Sequence, residues 1–444
     1  MSSWKQVRFS EICDITRGGS PRPIQEYMTN DGVPWIKISD ATASNSRFIE
    51  KTKEFIKTSG ISKSREVFPD DLILSNSATP GIPKFMRIYA CIHDGWLLLR
   101  NFNGAEKEFI YWLLLNERDK LIQQGNGSVF TNLKTDILKN HIVNIPDDIE
   151  EQKRIATILN NIQEKIELNT QINQTLEQIA QTIFKSWFID FDPVHAKANA
   201  LASGQTAEQA TQAAMAVISG KNTQELHRLQ TANPEQYQQL WEIAEAFPSG
   251  FSGYKNLGEI PIGWNVLTFK DFISESKEKI GSLEDVPEYS VGNEGIYPRS
   301  EKYNKSLSKT PEKNKVVRIG DLVFGMGSKT LNWGIMNDEI GSVSPAYFVY
   351  RIFTNINYIY LNKYIKAKEY DFQNLIKPTS RQGQSVDKEM FLKKEIYVPN
   401  EYLLNIYLNK LKEIDSLVYS YTTEVLILEQ IRDELLPKLL SGEI

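Results

Sequence analysis

The sequence predicts an α+β protein in which two pseudo-repeated mixed α/β domains are separated by two long coiled-coil helices. Three observations predict it. First, Ile155, Leu159, Ile162, Ile166, Asn169, Asn173, Leu176, Ala180, Ile183 and Trp187 recur at steps of four and three, the seam of a coiled coil with two Asn in its middle. Second, Leu404, Tyr407, Leu411, Ile414, Val418, Tyr421, Val425 and Leu428 repeat that rhythm after Pro399, reaching Leu435 before Pro437. Third, the block before the second helix retells the block before the first, about 250 residues on. At 1.5 Å per residue each helix would be on the order of 50 Å long. Neither buries its stripe alone, so the two are expected to pack on each other. One such helix reads as ordinary core packing; two of matching length, each after a similar block, do not.

Taken in order, the first domain spans residues 1–146. Trp4 to Ile12 reads as a strand turning into a short helix, and Arg17 to Pro23 as a turn-rich loop carrying Arg17 and Arg22. Gly32–Asp40, Val67–Leu74, Lys84–Tyr89 and Trp96–Arg100 alternate as strands do. The run Ser75 to Gly81 is polar, Phe109–Leu121 reads as a helix, Gly125–Thr131 as a loop, and Ile142–Ile145 as a closing strand. The first long helix occupies 147–189, opened by a capping box of Asp148 and Glu151. A helical insert or linker follows over 190–255, with a helix expected from Glu225 to Ala246. The second domain spans 256–399. There Trp264, Phe269, Asp271 and Phe272 match Trp4, Phe9, Glu11 and Ile12, and Val317, Asp321, Leu322 and Phe324 match Val67, Asp71, Leu72 and Leu74. Tyr358–Tyr370 stands where the Phe109–Leu121 helix stood, and the second long helix occupies 400–444.

Composition narrows the function classes. With 444 residues and 41% hydrophobic content the chain can bury more than one core. Two cysteines, Cys13 and Cys91, exclude a disulfide framework and a thiolate-rich zinc site. The start has no apolar leader and no run approaches the roughly 18 apolar residues of a membrane span, so a soluble, cytoplasmic protein without membrane contact is expected. The net charge of −5 hides a division: +3 over 1–146 and +2 over 256–399, against −6 over 147–255 and −4 over 400–444. A nucleic-acid surface therefore belongs on the blocks rather than on the helices.

The sequence offers binding groups but no catalytic constellation. There is no phosphate-binding G-x-x-x-x-G-K-[ST], no G-x-G-x-x-G after a strand, and no Asn-Pro-Pro-aromatic motif of the amino-methyltransferases. His93, His141, His195 and His227 are scattered, without metal-ligand spacing. Glu151 near Asp147 only superficially resembles a nuclease motif, and His195 beside Asp190 and Asp192 reads as structural. In the first block Arg17, Ser20, Arg22, Lys37, Asn76, Ser77, Lys84 and Arg87 are loop or strand-end groups of the types that hold phosphates and read base edges. Tyr297, Arg299, Lys302, Lys329, Asn332, Arg381, Gln382 and Gln384 are their counterparts in the second. Each alone reads as a solvated surface group; as a set they are the best site on offer. Trp4, Trp35 and Trp264 read as core.

This arrangement resembles the specificity subunits of type I restriction-modification systems along the whole chain. The residues that carry the resemblance are the Trp4 opening, the run Gly258 to Trp264, the transitions to long helices at Pro146 and Pro399, and Glu151-Gln152-Lys153-Arg154-Ile155-Ala156. Phe188-Ile189-Asp190-Phe191-Asp192-Pro193 and the run Arg432 to Gly442 belong with them. The second half departs from the pattern, since Glu401-Tyr402-Leu403-Leu404 stands where Glu-Gln-Lys-Arg would repeat. The resemblance implies two target-recognition domains that each read one half of a bipartite, asymmetric site on double-stranded DNA. It implies that the two long helices pack antiparallel as a molecular ruler. It further implies a non-catalytic chain without a cofactor of its own. Two methyltransferase subunits would dock on the helices and use S-adenosylmethionine, and up to two restriction subunits would bring ATP and Mg. Asn169 and Asn173 in the seam would favour one helix register.

Three other readings stand beside this one, among them a specificity subunit whose restriction partner is absent. An autonomous methyltransferase or nuclease would act as the purified chain alone. A coiled-coil scaffold or adaptor without DNA reading would show salt-independent interactions and no DNA affinity even in complex.

Overall fold

In the computed structural model, which describes residues 3–43, 46–124, 132–254, 256–293, 295–303, 305–325, 332–378 and 384–444, the strand Trp4–Arg8 pairs antiparallel with Ile142–Pro146, Trp4 facing Pro146 and Val7 facing Val143. That pairing brings the two ends of the first block together. The expected loop Gly125–Thr131 lies outside the described residues. Between the paired ends runs a five-stranded sheet in the order Asp14–Arg17, Trp96–Arg100, Leu72–Ser75, Pro83–Met86 and Phe48–Ile49. A second five-stranded sheet runs in the order Met28–Thr29, Phe55–Ile56, Val33–Ile36, Ala90–Ile92 and Arg65–Val67. Leu72, Leu74, Leu97 and Leu99 of the first sheet pack with Phe109, Ile110, Trp112 and Leu113 of the helix Lys107–Asn116. Each such fully buried side chain contributes about 1.5–3 kcal/mol.

Several elements differ from expectation for identifiable reasons. The single strand expected over Val67–Leu74 is two strands, Arg65–Val67 and Leu72–Ser75, in different sheets. Asp70 lies in the left-handed region (φ 76°), and the Asp71 carboxylate accepts from the Phe68 amide at 2.6 Å, so the chain turns there. The helix expected over Phe109–Leu121 is two, broken at Glu117, whose carboxylate pairs with the buried His141 at 2.9 Å. Gly32–Asp40 is a strand only over Val33–Ile36; Ile38–Thr42 is a short helix begun by the Asp40 carboxylate on the Lys37 amide at 2.7 Å. In the insert, Glu225–Ala246 divides into Thr223–Ala232 and Pro234–Glu245, because Pro234 lacks the amide that would continue the first helix.

Contacts divide the chain into two units, residues 1–175 with 416–444 and residues 176–415, so each long helix contributes to both. The first long helix is Ile149–Phe188, of 40 residues, and the second Glu401–Ser441, of 41, each about 60 Å. Asp148 caps the first through the Glu150 amide at 3.0 Å, but Glu151 instead binds the Arg154 guanidinium at 2.8 and 2.9 Å, so the expected capping box is half made. The second helix continues through Pro437, because Leu439 and Leu440 beyond it are buried in the first unit's core.

Within the first unit the helices run antiparallel. Gln163 meets Arg432 at 2.7 Å, Asn169 donates to Glu424 at 2.8 Å, and Asn173 donates to Thr422 at 3.0 Å. Ile155, Leu159, Ile166 and Asn169 are buried, whereas Ile162 and Asn173 are half-buried. At the carboxyl end of this unit Gly442 takes a left-handed φ of 73°, and a Cβ there would stand 2.6 Å from Trp4 Nε1.

In the second unit Asn265–Thr268 pairs with Glu395–Val398, the counterpart of the Trp4–Arg8 pairing. Its four-stranded sheet has the order Ile273–Ser276, Phe348–Ile352, Leu322–Phe324 and Trp333–Ile335, the same order as the equivalent strands of the first unit. The first long helix ends here in an aromatic cluster: Phe184, Trp187 and Phe188 lie 5.0–6.3 Å, centroid to centroid, from Tyr407 of the second. Trp264 packs into the same cluster, tilted against Phe188 and edge-on to Phe191. The insert is a bundle of the helices Asp192–Ala202, Ala207–Ser219, Thr223–Ala232 and Pro234–Glu245 around Ala214, Met215, Leu226, Leu240 and Ala244. Buried Lys197 donates to the carbonyls of Phe247 at 2.7 Å and Ala244 at 3.2 Å, neutralising the negative end of the last of these helices.

Candidate nucleic-acid interface

The residues singled out in the first block do not form one patch. Arg17, Ser20, Arg22 and Asn76 converge, together with Asp94, which the sequence does not single out, and His93, which it offers only as a scattered histidine. The Asp94 carbonyl accepts from Arg17 Nε at 2.8 Å and from Asn76 Nδ2 at 3.2 Å. The Asp94 carboxylate accepts from Ser20 Oγ at 2.6 Å and stands 3.5 Å from Arg22 Nη2. Ser77 completes the group, its hydroxyl packed against Gly95. The signal that would have found this turn is the pair Asp94-Gly95 between two strands, Ala90–Ile92 and Trp96–Arg100.

The electrostatics of the turn are defined. The Ser20 hydroxyl above all, with His93 and Arg17, holds the Asp94 carboxyl below the usual carboxylate range against the opposing effect of burial. Burial pushes His93 down, outweighing the nearby Asp94 charge. At neutral pH the turn therefore carries an ionised Asp94 beside a neutral His93. Lys37 joins at the edge: its ammonium pairs with Glu54 at 2.5 Å and lies 5.9 Å from the centre of the Trp35 ring, on which His93 packs edge-on at 5.7 Å. Ser20, Pro21, Arg22 and Trp35 line a concavity of about 510 Å³. Trp35 is buried, as expected, and its Nε1, like Asn76 Oδ1, has no hydrogen-bond partner among the described residues.

Lys84 and Arg87 lie elsewhere. Lys84 is 5% exposed, donates to the Ser46 carbonyl, and has its pKa pushed down to about 8 by burial, with Glu167 opposing. The Arg87 guanidinium lies 3.7 Å from the centre of the Phe48 ring.

In the second block Tyr297, Arg299 and Lys302 are brought together on the hairpin Tyr289–Gly292 and Gly295–Pro298 and the turn after it. Arg299 donates to Ser290 Oγ at 3.1 Å and to the Lys305 carbonyl at 3.0 Å, and its guanidinium lies 4.4 Å from the Tyr303 ring centre. The Lys302 ammonium lies 4.4 Å from the Tyr297 ring centre. Burial, then hydrogen bonding with Tyr303, raises the Tyr297 hydroxyl pKa, so it stays protonated and able to donate. Asn332 precedes the strand Trp333–Ile335, where Gly334 packs against Ile296 so closely that a Cβ would stand 2.4 Å from its amide nitrogen. Gln384 begins the strand Gln384–Val386. Lys329, Arg381 and Gln382 lie outside the described residues.

Chemically, the first cluster combines guanidinium, hydroxyl and amide donors with an ammonium at its edge, and the second guanidinium, ammonium and hydroxyl donors, compositions suited to phosphates and base edges. Among the described residues no three His, Cys, Asp or Glu side chains are placed to hold a metal ion, and no helix is long and apolar enough to cross a membrane. Cys13 and Cys91 are buried free thiols.

Residues 1–178 match the family model described as the type I restriction modification DNA specificity domain. The type I restriction enzyme HindI specificity subunit of Haemophilus influenzae is 30% identical over 479 aligned residues covering all of both chains. The MjaIX specificity subunit of Methanocaldococcus jannaschii is 30% identical over 195 residues, 43% of this chain and 45% of that one. Among solved structures, the type I restriction-modification S subunit from M. genitalium aligns over 99% of this chain and 96% of its own, with 13% identity and a TM-score of 0.48. The HsdS subunit from Thermoanaerobacter tengcongensis aligns over 99% and 97%, with 16% identity and a TM-score of 0.34.

Proposed function

The chain belongs to the specificity subunits of type I restriction-modification systems, which are not catalytic, and we propose that it is the subunit that reads DNA for such a complex. Each repeated block reads one half of a bipartite, asymmetric site on double-stranded DNA, and the paired long helices fix the spacing between half-sites. Two methyltransferase subunits, with up to two restriction subunits, assemble on the chain. S-adenosylmethionine, ATP and Mg belong to those partners, and the complex works in the cytoplasm.

The observation that carries this reading is the convergence of Arg17, Ser20, Arg22 and Asn76 from two separate loops onto one turn. The Arg299 and Lys302 cluster on the other block supports it. The mild positive charge of both blocks, against acidic helices, points the same way.

The test is a map of adenine methylation in cells expressing the chain with its methyltransferase partner, against the partner alone. A bipartite methylated motif that appears only with the chain, its half-sites roughly one helical turn apart, is expected. Methylation indifferent to the chain, with the complex verified as formed, would remove the specificity role.

A further inference from the structure

Arg17 and Arg22 leave the main chain on a loop that has little freedom. The Gly18 amide donates to the Trp96 carbonyl at 2.9 Å and the Gly19 amide to the Ile92 carbonyl at 3.2 Å, so the loop lies along residues 92–96. The approach is close enough to require glycine. A Cβ on Gly18 would stand 2.0 Å from the His93 carbonyl oxygen, and one on Gly95 would stand 2.6 Å from Ser77 Oγ. Asp94 sits where these segments meet. Its carbonyl takes Arg17 and Asn76, and its carboxylate takes Ser20 and faces Arg22.

A carboxylate amid candidate phosphate contacts repels the ligand those contacts serve. Asp94 is nonetheless held ionised, and its side chain is 42% exposed, so its charge is felt at the surface. The Arg22 side chain is 80% exposed and touches Asp94 at one edge, at the limit of hydrogen-bond distance, which leaves the rest of its guanidinium fork open.

We infer that Asp94 is a positioning residue for half-site discrimination, an inference that rests on the DNA-reading function proposed above. It holds Ser20 in place before DNA arrives and keeps Arg22 beside it, which lowers the ordering cost of a correct contact. Its charge opposes phosphates that approach without such a contact to compensate. The residue therefore separates the right half-site from wrong ones more than it adds affinity.

The experiment compares Asp94→Asn with wild type, each in complex with the methyltransferase partner. Binding is measured to a duplex carrying the motif mapped for the wild-type complex and to duplexes with either half-site scrambled in turn. Asn keeps an acceptor for Ser20 and removes the charge. The expected result is a cognate-to-scrambled ratio reduced about tenfold, the value of one well-placed contact, at one half-site only. Binding to the scrambled duplex is unchanged or tighter, and the unfolding temperature stays within about 2 °C. Ser20→Ala, which removes only the hydroxyl, lowers the same ratio by less. An unchanged ratio in Asp94→Asn overturns the inference. Equal weakening on all duplexes with a lowered unfolding temperature, the signature of a merely structural aspartate, overturns it as well. A wild-type complex unable to separate the duplexes removes the DNA-reading assignment itself, and the role of Asp94 with it.

Discussion

Arg351 grips Asp321 with two parallel hydrogen bonds, Nε to Oδ1 at 3.0 Å and Nη2 to Oδ2 at 2.9 Å, and Arg100 grips Asp71 in the same way in the other half. In each half the aspartate also receives the backbone amide three residues before it, from Arg318 or Phe68. The pair thus ties the turn between two sheets to the neighbouring strand.

Asp321 is 1% exposed, and removing it takes away the hydrogen bonds that raise the Arg351 pKa, leaving that guanidinium with Glu278 at 2.8 Å and the Arg318 amide without its acceptor. Asp321→Ala is expected to destabilise the second unit by about 2–4 kcal/mol. Urea denaturation followed by tryptophan fluorescence checks it. A loss under half a kcal/mol would mean that the turn holds without the pair.

Arg47 does comparable work between the first block and the first long helix. It is 2% exposed, and its guanidinium reaches Glu108 at 2.9 Å and Glu164 at 3.0 Å. Its backbone amide donates to Glu167 at 3.0 Å. Arg47→Ala should cost about 3–5 kcal/mol by leaving Glu108 without its cation, whereas Arg47→Met, which keeps the packing of the stem, should cost less. The two variants' denaturation midpoints, compared at equal slope, decide the order.

Asn169 is fully buried and Asn173 half-buried, and the Oδ1 of each has no hydrogen-bond partner among the described residues. Replacing both with Leu removes those orphan acceptors and the bonds to Glu424 and Thr422 that mark the register. Stability is expected to hold or rise by about 1 kcal/mol, while the helix pair begins to populate a shifted register. Cysteine cross-linking across the seam reads the register. A single unshifted pairing at unchanged stability would show that the asparagines do not specify it.

Lys84 predicts a pH dependence of definite sign. Its folded pKa is pushed down to about 8, below the 10.5 of an unperturbed lysine. Between those values the unfolded chain binds more protons than the folded one, so raising pH through that window stabilises the fold. Wild type should therefore gain stability relative to Lys84→Met from about pH 8 to 10.5, and the difference should be flat below pH 7. Urea midpoints of both proteins across that range provide the check; a difference that shrinks with pH would reverse the assignment.

The repeat was legible because the turn aspartates and their flanking apolar residues recur: Val67, Asp71 and Leu72 against Val317, Asp321 and Leu322. The helix seams were legible over their inner halves, but Phe184 and Phe188 escaped, since the seam turns toward the Tyr360 and Trp264 rings that pack on it. Alternation alone could not show that Val67 and Leu72 belong to different sheets. Nor could it show that every residue of Pro83–Met86 is buried, which takes Lys84 away from solvent. At the candidate interface the residue types were readable one by one. The hub was not, because Asp94 meets Ser20 and Arg22 across more than 70 residues of chain.

The shared strand order of the two sheets separates two kinds of evolutionary freedom. Sheet order, turn aspartate and arginine partner recur in both halves, so a substitution there costs folding free energy. The residues around Asp94 and around Arg299 differ in type and spacing on that common frame, so they can diverge in one half while the other is unchanged. A lineage of such chains should accumulate differences in these loops at independent rates without passing through an unfolded intermediate.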